Sequence, residues 1–278
     1  MLQNTTSLPS YLCPVCGSSL QLTASTKSYA CQNNHHFDHA KEGYLNLLPV
    51  QYKHSNDPGD NKTMMQSRRK FLEVGYYEPL AKALSMFIEV NKPDQLLDLG
   101  CGEGYYSRKI ESLCTHKMLQ HGLDISKFAI VAAAKKQTNA RFVVASSNRL
   151  PYSDHYFDIV LKIFAPSNEQ ELKRVLKTSG LLLMVTPGPR HLWQLKEFIY
   201  SNAQEHVLEN QLPQGFTTLN TQRISYKITP TPQERIALLT MTPFAWRAKE
   251  TVQQAIKDAV ALEIETDFIL TLAKTSTE

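Results

Sequence analysis

The chain has 278 residues, 42% apolar and 20% charged, with a formal net charge of +4 at pH 7. These values are typical of a globular protein that is long enough for one sizeable α/β domain and a small module. The mild charge does not predict nucleic-acid binding, so a polyanion site would require local clustering of cations. No apolar run approaches about eighteen residues and the N-terminus lacks signal-peptide features, so we expect a cytoplasmic protein with no membrane partner.

A pattern of metal-ligand residues opens the chain. Its members are Cys13, Cys16, Cys31 and His35. Two thiolates on a tight turn, followed by a Cys and a His four residues apart, can complete a tetrahedron around Zn²⁺. The spacing favours His35 as the fourth ligand, but His36 and His39 lie close enough in sequence to be alternatives. A segment of about fifty residues buries little core, so metal binding would fold it, and we predict a zinc-binding module over residues 1–50.

A basic connector and helix follow over residues 51–77. Residues 56–60 carry strong turn chemistry, and residues 51–70 contain five Lys and Arg side chains against two carboxylates. We predict a helix over residues 64–74 on which Arg68, Arg69 and Lys70 face outward as phosphate contacts. A solvated helix face explains the same charges equally well.

Residues 95–106 have the form of a nucleoside-binding turn. An apolar strand over residues 95–99 runs into three alternating glycines, Gly100, Gly102 and Gly104, and a helix follows from Tyr105. Glycine lets the backbone approach a ligand with no Cβ in the way. A second apolar run, over residues 120–123, ends at Asp124.

The charges in this turn favour one nucleoside over another. Asp98 and Glu103 would repel a diphosphate and attract an ammonium and a sulfonium. Asp124 stands where a carboxylate can accept the ribose hydroxyls of an adenosyl group. The spacing is also Gly-x-Gly-x-Gly rather than the dinucleotide pattern. We therefore predict an S-adenosylmethionine site, with Gly100 and Gly102 against the ligand.

From residue 78 to residue 278 the chain alternates between helix and strand. We predict strands over residues 141–145, 158–163 and 181–185, with Gly180 capping the helix that precedes the last of these. A final alternating strand over residues 263–272 is predicted to close the sheet antiparallel. The fold class is thus α/β, a doubly wound, Rossmann-like sheet with its last strand antiparallel and a small N-terminal zinc-binding module.

Several motifs, in order, resemble the bacterial 23S rRNA guanine-N1-methyltransferases that act on hairpin 35, a zinc-containing class I methyltransferase family. The matching segments are residues 13–49, 58–60, 68–69, 102–106, 186–191 and 241–247. The resemblance covers nearly the whole chain. It implies an enzyme that methylates guanine N1 in 23S rRNA, with S-adenosylmethionine bound by the domain over residues 78–278 and RNA recognised by the zinc module. It also implies a homodimer.

The same resemblance assigns individual residues. It implies that Cys13, Cys16, Cys31 and His35 hold zinc, and that Tyr77, Gly102, Glu103 and His191 line the S-adenosylmethionine site. An aromatic face at Tyr77 would stabilise the sulfonium, although a core tyrosine is the alternative. His191 follows a proline-rich turn after the fifth strand, which predicts a place on the rim of the crevice; an isolated surface histidine is the alternative.

The chemistry also requires an exposed guanine. Phe164, after the fourth strand, could stack on the flipped base, and a core side chain is at least as good an interpretation. No general base is identifiable from the sequence. A small-molecule methyltransferase of the quinone type is the alternative enzyme, and a non-catalytic zinc-bearing RNA-binding protein is the alternative of another class.

Overall fold

The computed structural model describes residues 10–24, 27–52, 61–136, 139–208 and 212–276. The turn predicted at residues 56–60 lies outside the described residues. Within these ranges no helix has both the length and the apolar character needed to cross a bilayer.

The N-terminal segment forms a small antiparallel sheet. Its strands are β1 (Gln21–Leu22), β2 (Ser28–Ala30) and β3 (His36–Asp38), with β2 in the centre. The next strand, β4 (Leu45–Asn46), leaves this sheet and pairs parallel with β7 (Arg141–Val144). Residues 45–46 therefore belong to the predicted module in sequence and to the large sheet in space, and the predicted boundary at residue 50 stays a prediction.

The large sheet carries eight strands in the order β10-β11-β9-β8-β5-β6-β7-β4. Its remaining strands are β5 (Gln95–Leu99), β6 (Leu119–Asp124), β8 (Phe157–Ile163), β9 (Leu176–Pro187), β10 (Phe216–Ile228) and β11 (Ile264–Thr275). Strand β11 runs antiparallel to both of its neighbours, and the pairs from β4 to β9 are parallel. The predicted class I sheet with an antiparallel last strand is confirmed.

Eight α-helices occur within the described ranges. They are α1 (Lys62–Val74), α2 (Glu78–Asn91), α3 (Tyr105–Leu113), α4 (Lys127–Lys136), α5 (Glu169–Val175), α6 (Trp193–Ile199), α7 (Pro232–Thr240) and α8 (Glu250–Asp258). Local chemistry sets their ends. The Asn61 side chain accepts from Met64 N at the start of α1, and Gly75 ends that helix at φ 98°.

The prediction for Gly180 is wrong. Helix α5 ends at Val175, and Leu176 already has extended backbone with ψ 137°. Strand β9 then includes Gly180, where the β8–β9 ladder shifts register between Phe157 and Ile159. A Cβ at Gly180 would lie 2.8 Å from the carbonyl oxygen of Lys177, so the glycine serves a tight irregularity inside the strand.

Aromatic packing attaches the zinc module to the large sheet. The Tyr11 ring lies 5.4 Å from Tyr29 and 5.5 Å from Tyr152, and all three side chains are buried. Leu12 N donates to Pro151 O over 3.1 Å. These rings share one apolar core with strands β5 and β8, so the module's fold is coupled to the larger domain.

Candidate functional site

A cavity of about 700 Å³ opens at the carboxyl ends of the parallel strands β5, β6 and β8. This volume and position are those expected of a ligand crevice in a doubly wound sheet. Its wall includes every predicted cofactor residue, namely Tyr77, Asp98, Gly100, Gly102, Glu103, Asp124 and His191. Phe164, Arg68 and Arg69 also line it, whereas Lys70 does not. Tertiary structure thus brings together residues from five separate segments.

The glycine turn is shaped by two requirements that only glycine meets. Gly100 and Gly104 have φ of 73° and 69°, in the left-handed region. A Cβ at Gly100 would also lie 2.5 Å from the Cβ of Ala165, on the loop after β8. The turn therefore brings its backbone against the neighbouring loop and leaves the cavity side open.

Asp124 holds this turn from the end of β6. Its Oδ2 accepts from Gly102 N over 2.9 Å, and its Oδ1 accepts from Ser126 N over 2.8 Å. These bonds fix the Asp124 carboxylate at the carboxyl end of β6, where it lines the cavity.

Asp98 lies beneath the turn and is buried. The Ser107 hydroxyl donates to its Oδ2 over 2.5 Å. Burial raises the pKa of Asp98 to about 6, with the Ser107 hydrogen bond opposing this effect and the nearby Asp124 charge adding to it. A cationic ligand in the cavity would favour the ionised carboxylate.

Glu103 and Arg69 form an ion pair across the cavity. Nε and Nη2 of Arg69 donate to the two carboxylate oxygens of Glu103. The expectation that the basic side chains of α1 all face outward is wrong for Arg69, and Arg68 donates to Met241 O over 3.3 Å at the cavity wall. Lys70 is exposed. Successive helical residues are about 100° apart, so three in a row cannot share one face.

Tyr77 is part of the core and of the cavity wall together. Its ring packs edge-on against Phe71 and Phe268, at 5.2 and 4.9 Å between centroids. The hydroxyl is buried with no hydrogen-bond partner among the described residues. An orphaned buried hydroxyl on a ligand cavity fits a site completed by a polar ligand group.

His191 is not an isolated surface side chain, since it is only 8% exposed. Its Nδ1 accepts from Asp267 N over 3.2 Å. Burial lowers the pKa of His191 to about 3, so the ring is neutral and carries its proton on Nε2. His191 is thus a fixed hydrogen-bond donor at the cavity.

Phe164 is 47% exposed, so the core interpretation does not apply. Its ring lies 5.8 Å from that of His191. The backbone at Phe164 has φ 51°, a strained conformation for an aromatic residue that concentrates at functional sites. Phe164 thus presents an exposed aromatic side chain at the wall of the cavity.

The four predicted metal ligands converge in the small sheet. Their donor atoms all lie within 4.8 Å of one another, and the Cys16 and Cys31 sulfurs are 3.7 Å apart. A tetrahedral site with Zn–S bonds of about 2.3 Å has edges of about 3.8 Å, so the set fits Zn²⁺. His35 Nδ1 completes it, 3.3 Å from Cys31 Sγ. His36 is exposed and His39 Nδ1 lies 3.3 Å from Gly43 O, so neither alternative joins the cluster.

Two family descriptions match the chain in agreement with this geometry. Residues 11–56 match the zinc ribbon described as RlmA, N-terminal, and residues 91–237 match a methyltransferase domain. A Bacillus subtilis (strain 168) protein named "Putative 23S rRNA (guanine-N(1)-)-methyltransferase YxjB" is 31% identical over 96% of this chain and 97% of its own. A Streptomyces fradiae protein named 23S rRNA (guanine(748)-N(1))-methyltransferase is also 31% identical, over 84% and 85%.

This chain belongs to the 23S rRNA (guanine-N1)-methyltransferase family. The predicted family resemblance is confirmed, and the methyltransferase fold carries S-adenosylmethionine as its cofactor alongside a zinc-binding ribbon. A Legionella pneumophila malonyl-[acyl-carrier protein] O-methyltransferase is 30% identical over only 42% of this chain and 45% of its own. The similarity to this relative therefore covers less than half of the chain.

Sequence reasoning missed several cavity residues. They include Met64, Met65, Arg108, His206 and the segment 241–244. The last of these lies in a motif that carried the family resemblance, so a signal was present. His206 had none, because a single histidine in a polar stretch shows no pattern that could be related to the crevice.

Proposed function

We propose that this protein transfers a methyl group from S-adenosylmethionine to N1 of a guanine in hairpin 35 of 23S rRNA. The observation that carries the proposal is that the predicted cofactor residues and the exposed ring of Phe164 line the same cavity. The names of the relatives support rRNA as the substrate.

The cofactor half of the cavity is assigned by charge. Asp98 would bind the ammonium group, Asp124 the ribose hydroxyls, and the Gly100–Gly102 backbone would approach the ligand without side chains. Glu103, already paired with Arg69, would hold helix α1 over the turn. When bound, S-adenosylmethionine supplies an electrophilic methyl group on a sulfonium, beside which the Tyr77 ring would lie.

The guanine half is assigned to Phe164, and the neighbouring His191 stays a proposed cofactor residue. N1 of guanine is masked by base pairing, so the base has to leave its helix before it can react. The Phe164 ring would stack on the extruded base, and the Nε2–H of His191 would donate a hydrogen bond within the cavity. The Phe164 side chain would also exclude water and orient the base for in-line attack.

The zinc ribbon completes the assignment. Cys13, Cys16, Cys31 and His35 would hold Zn²⁺ and so fix the small sheet against Tyr152. The ribbon over residues 1–50, with Lys70 and the rest of segment 51–77, would bind the RNA hairpin beside the catalytic domain at 78–278. We further propose that the enzyme works in the cytoplasm as a homodimer.

Labelling separates this function from its alternatives. The protein is incubated with tritiated S-adenosylmethionine and one of two substrates. One is 23S rRNA from a strain that lacks this protein, and the other is a quinone precursor. We expect label in the rRNA, a reverse-transcription stop in hairpin 35, and loss of both with Asp124→Asn while Lys117→Ala behaves as wild type. Label in the quinone precursor alone would refute the proposal, and label in neither would favour a non-catalytic RNA-binding protein.

A further inference from the structure

Trp246 is an exposed aromatic side chain beside the cavity. It is 77% exposed and is one of two tryptophans in the chain. It ends a 3-10 helix, Pro243–Trp246. Side chains three residues apart eclipse one another in a 3-10 helix, so Trp246 lies on the same side as Pro243, which lines the cavity. The indole therefore stands at the rim of the cavity.

The turn that presents Trp246 is firmly held. Thr242 is buried, and its hydroxyl donates to Leu239 O over 2.8 Å. Phe244 packs edge-on against Tyr200 with 6.3 Å between ring centroids. Trp246 itself makes no ring contact with any other residue that the structure describes. A rigid turn thus holds a large aromatic surface in solvent, which is typical of a recognition site.

The charges around Trp246 indicate the kind of partner. Arg247 and Lys249 are exposed, and neither forms an ion pair with a described residue. The Arg247 guanidinium lies over the Tyr200 ring at 5.6 Å, and Glu250 is the acidic side chain that follows. Aromatic faces interleaved with cations are the features that bind unpaired nucleotides, the rings by stacking and the cations through phosphates.

We propose that Trp246 is a stacking platform for an unpaired RNA base that flanks the target guanine. The inference rests on the proposed function. Extruding a guanine from a hairpin removes stacking from its neighbours, and a platform at the rim offsets that loss. Phe164 would take the target base inside the cavity, and Trp246 would take a neighbour outside it, with Arg247 on the intervening phosphate.

Fluorine NMR with 5-fluorotryptophan tests the contact directly. The two tryptophan resonances are assigned with Trp246→Phe, and a hairpin 35 RNA is then titrated against the full-length, zinc-loaded protein. We expect the Trp246 resonance to shift with RNA and to stay in place with S-adenosylhomocysteine. Trp246→Ala should weaken RNA binding about 5- to 100-fold, Trp246→Phe should restore most of it, and cofactor affinity should stay unchanged in both.

The exposed Val90 on α2 supplies a matched control, since Val90→Ala removes a comparably exposed apolar side chain. If RNA does not shift the Trp246 resonance, or if Trp246→Ala binds RNA with full affinity, the proposed stacking role of Trp246 is refuted. A change of oligomeric state in Trp246→Ala, seen by analytical ultracentrifugation with RNA affinity intact, would assign the side chain to a protein interface instead. Wild-type protein that labels no rRNA would refute the proposed function before any variant is compared.

Discussion

Arg69 donates from two nitrogens of its guanidinium to both carboxylate oxygens of Glu103, which ties helix α1 to the glycine turn. The Glu103 side chain is 7% exposed and that of Arg69 is 32% exposed. A planar fork against a carboxylate is the strongest form of such a pair. The charge of Glu103 is therefore matched within the protein, so the preference for a cationic ligand depends on Asp98 and Asp124.

Replacing Arg69 by Ala should lower the free energy of unfolding by about 1–3 kcal/mol, because Glu103 would keep a largely buried charge without a partner. The double variant Arg69→Ala, Glu103→Gln should recover part of that loss. Urea unfolding of both variants measures the difference. Lys70→Ala, an exposed change on the same helix, should stay within about 0.5 kcal/mol of wild type. Equal stability of the single and double variants would mean that the pair is not coupled.

Zinc removal should loosen the N-terminal ribbon and the contacts it makes with Tyr152. We expect about one zinc per chain in the purified protein, loss of the metal in Cys16→Ser, and retention in Cys114→Ser, whose sulfur lies in the domain core. Treatment with a chelator should lower Tm by at least about 4 °C, since the Tyr11 and Tyr29 rings lose their support. Metal analysis and calorimetry check both; an unchanged metal content in Cys16→Ser contradicts the assignment.

Cofactor binding should weaken in mild acid. The pKa of Asp98 is raised to about 6 in the free protein by burial, so its carboxyl is protonated below that pH. An ammonium group binds the ionised form, so affinity for S-adenosylhomocysteine should fall as the pH drops below about 6, by at most about tenfold per pH unit. Titration calorimetry between pH 5 and 8, roughly spanning this range, measures it. Asp98→Asn should bind more weakly and lose the dependence; the same slope in this variant would exclude Asp98 as its source.

Two substitutions at Phe164 should have similar effects on catalysis and different effects on stability. Phe164→Ala and Phe164→Gly both remove the stacking ring, so each should lower rRNA labelling about 10- to 100-fold with cofactor affinity unchanged. The backbone at this position has φ 51°, so Phe164→Gly should be about 1 kcal/mol more stable than Phe164→Ala. Labelling rates and urea unfolding give the two readouts. Phe164→Tyr is the conservative control, and full activity in Phe164→Ala would remove the ring from the site.

Lys70 should contribute to RNA binding through charge alone. Lys70→Ala should weaken RNA binding a few-fold and lower the slope of log affinity against log salt by about 1. Lys117, which is exposed and lies just before the amino end of β6, provides the control, and Lys117→Ala should leave the slope unchanged. Filter binding across a salt series measures both. Equal slopes for the two variants would assign Lys70 to a solvated helix face.

Local chemistry made much of this protein predictable. The order of strand, glycine turn, helix and distal acid is encoded within about thirty residues, and the capping box of α7 is encoded by Thr231 and Glu234 only three positions apart. The sequence-based prediction was wrong where the end of a helix depends on pairing with a distant strand. Gly180 is a residue type that often ends a helix, but α5 ends at Val175, and β9 begins at Leu176, which pairs with Phe157 of β8.

The sequence by itself determined the glycine turn and the three cysteine ligands, because each depends on residue types at short, fixed spacings, and it determined the family through motifs in a fixed order. The structure was needed to choose His35 over His36 and His39 as the fourth ligand. Only the tertiary structure decided that Arg69 faces Glu103, that Phe164 is exposed and strained, and that Trp246 is exposed. The direction of a side chain depends on which distant segments pack against its element. Arg69 and Glu103 are 34 positions apart and meet because the sheet brings their segments together. A pattern of neighbouring residues cannot predict such a contact.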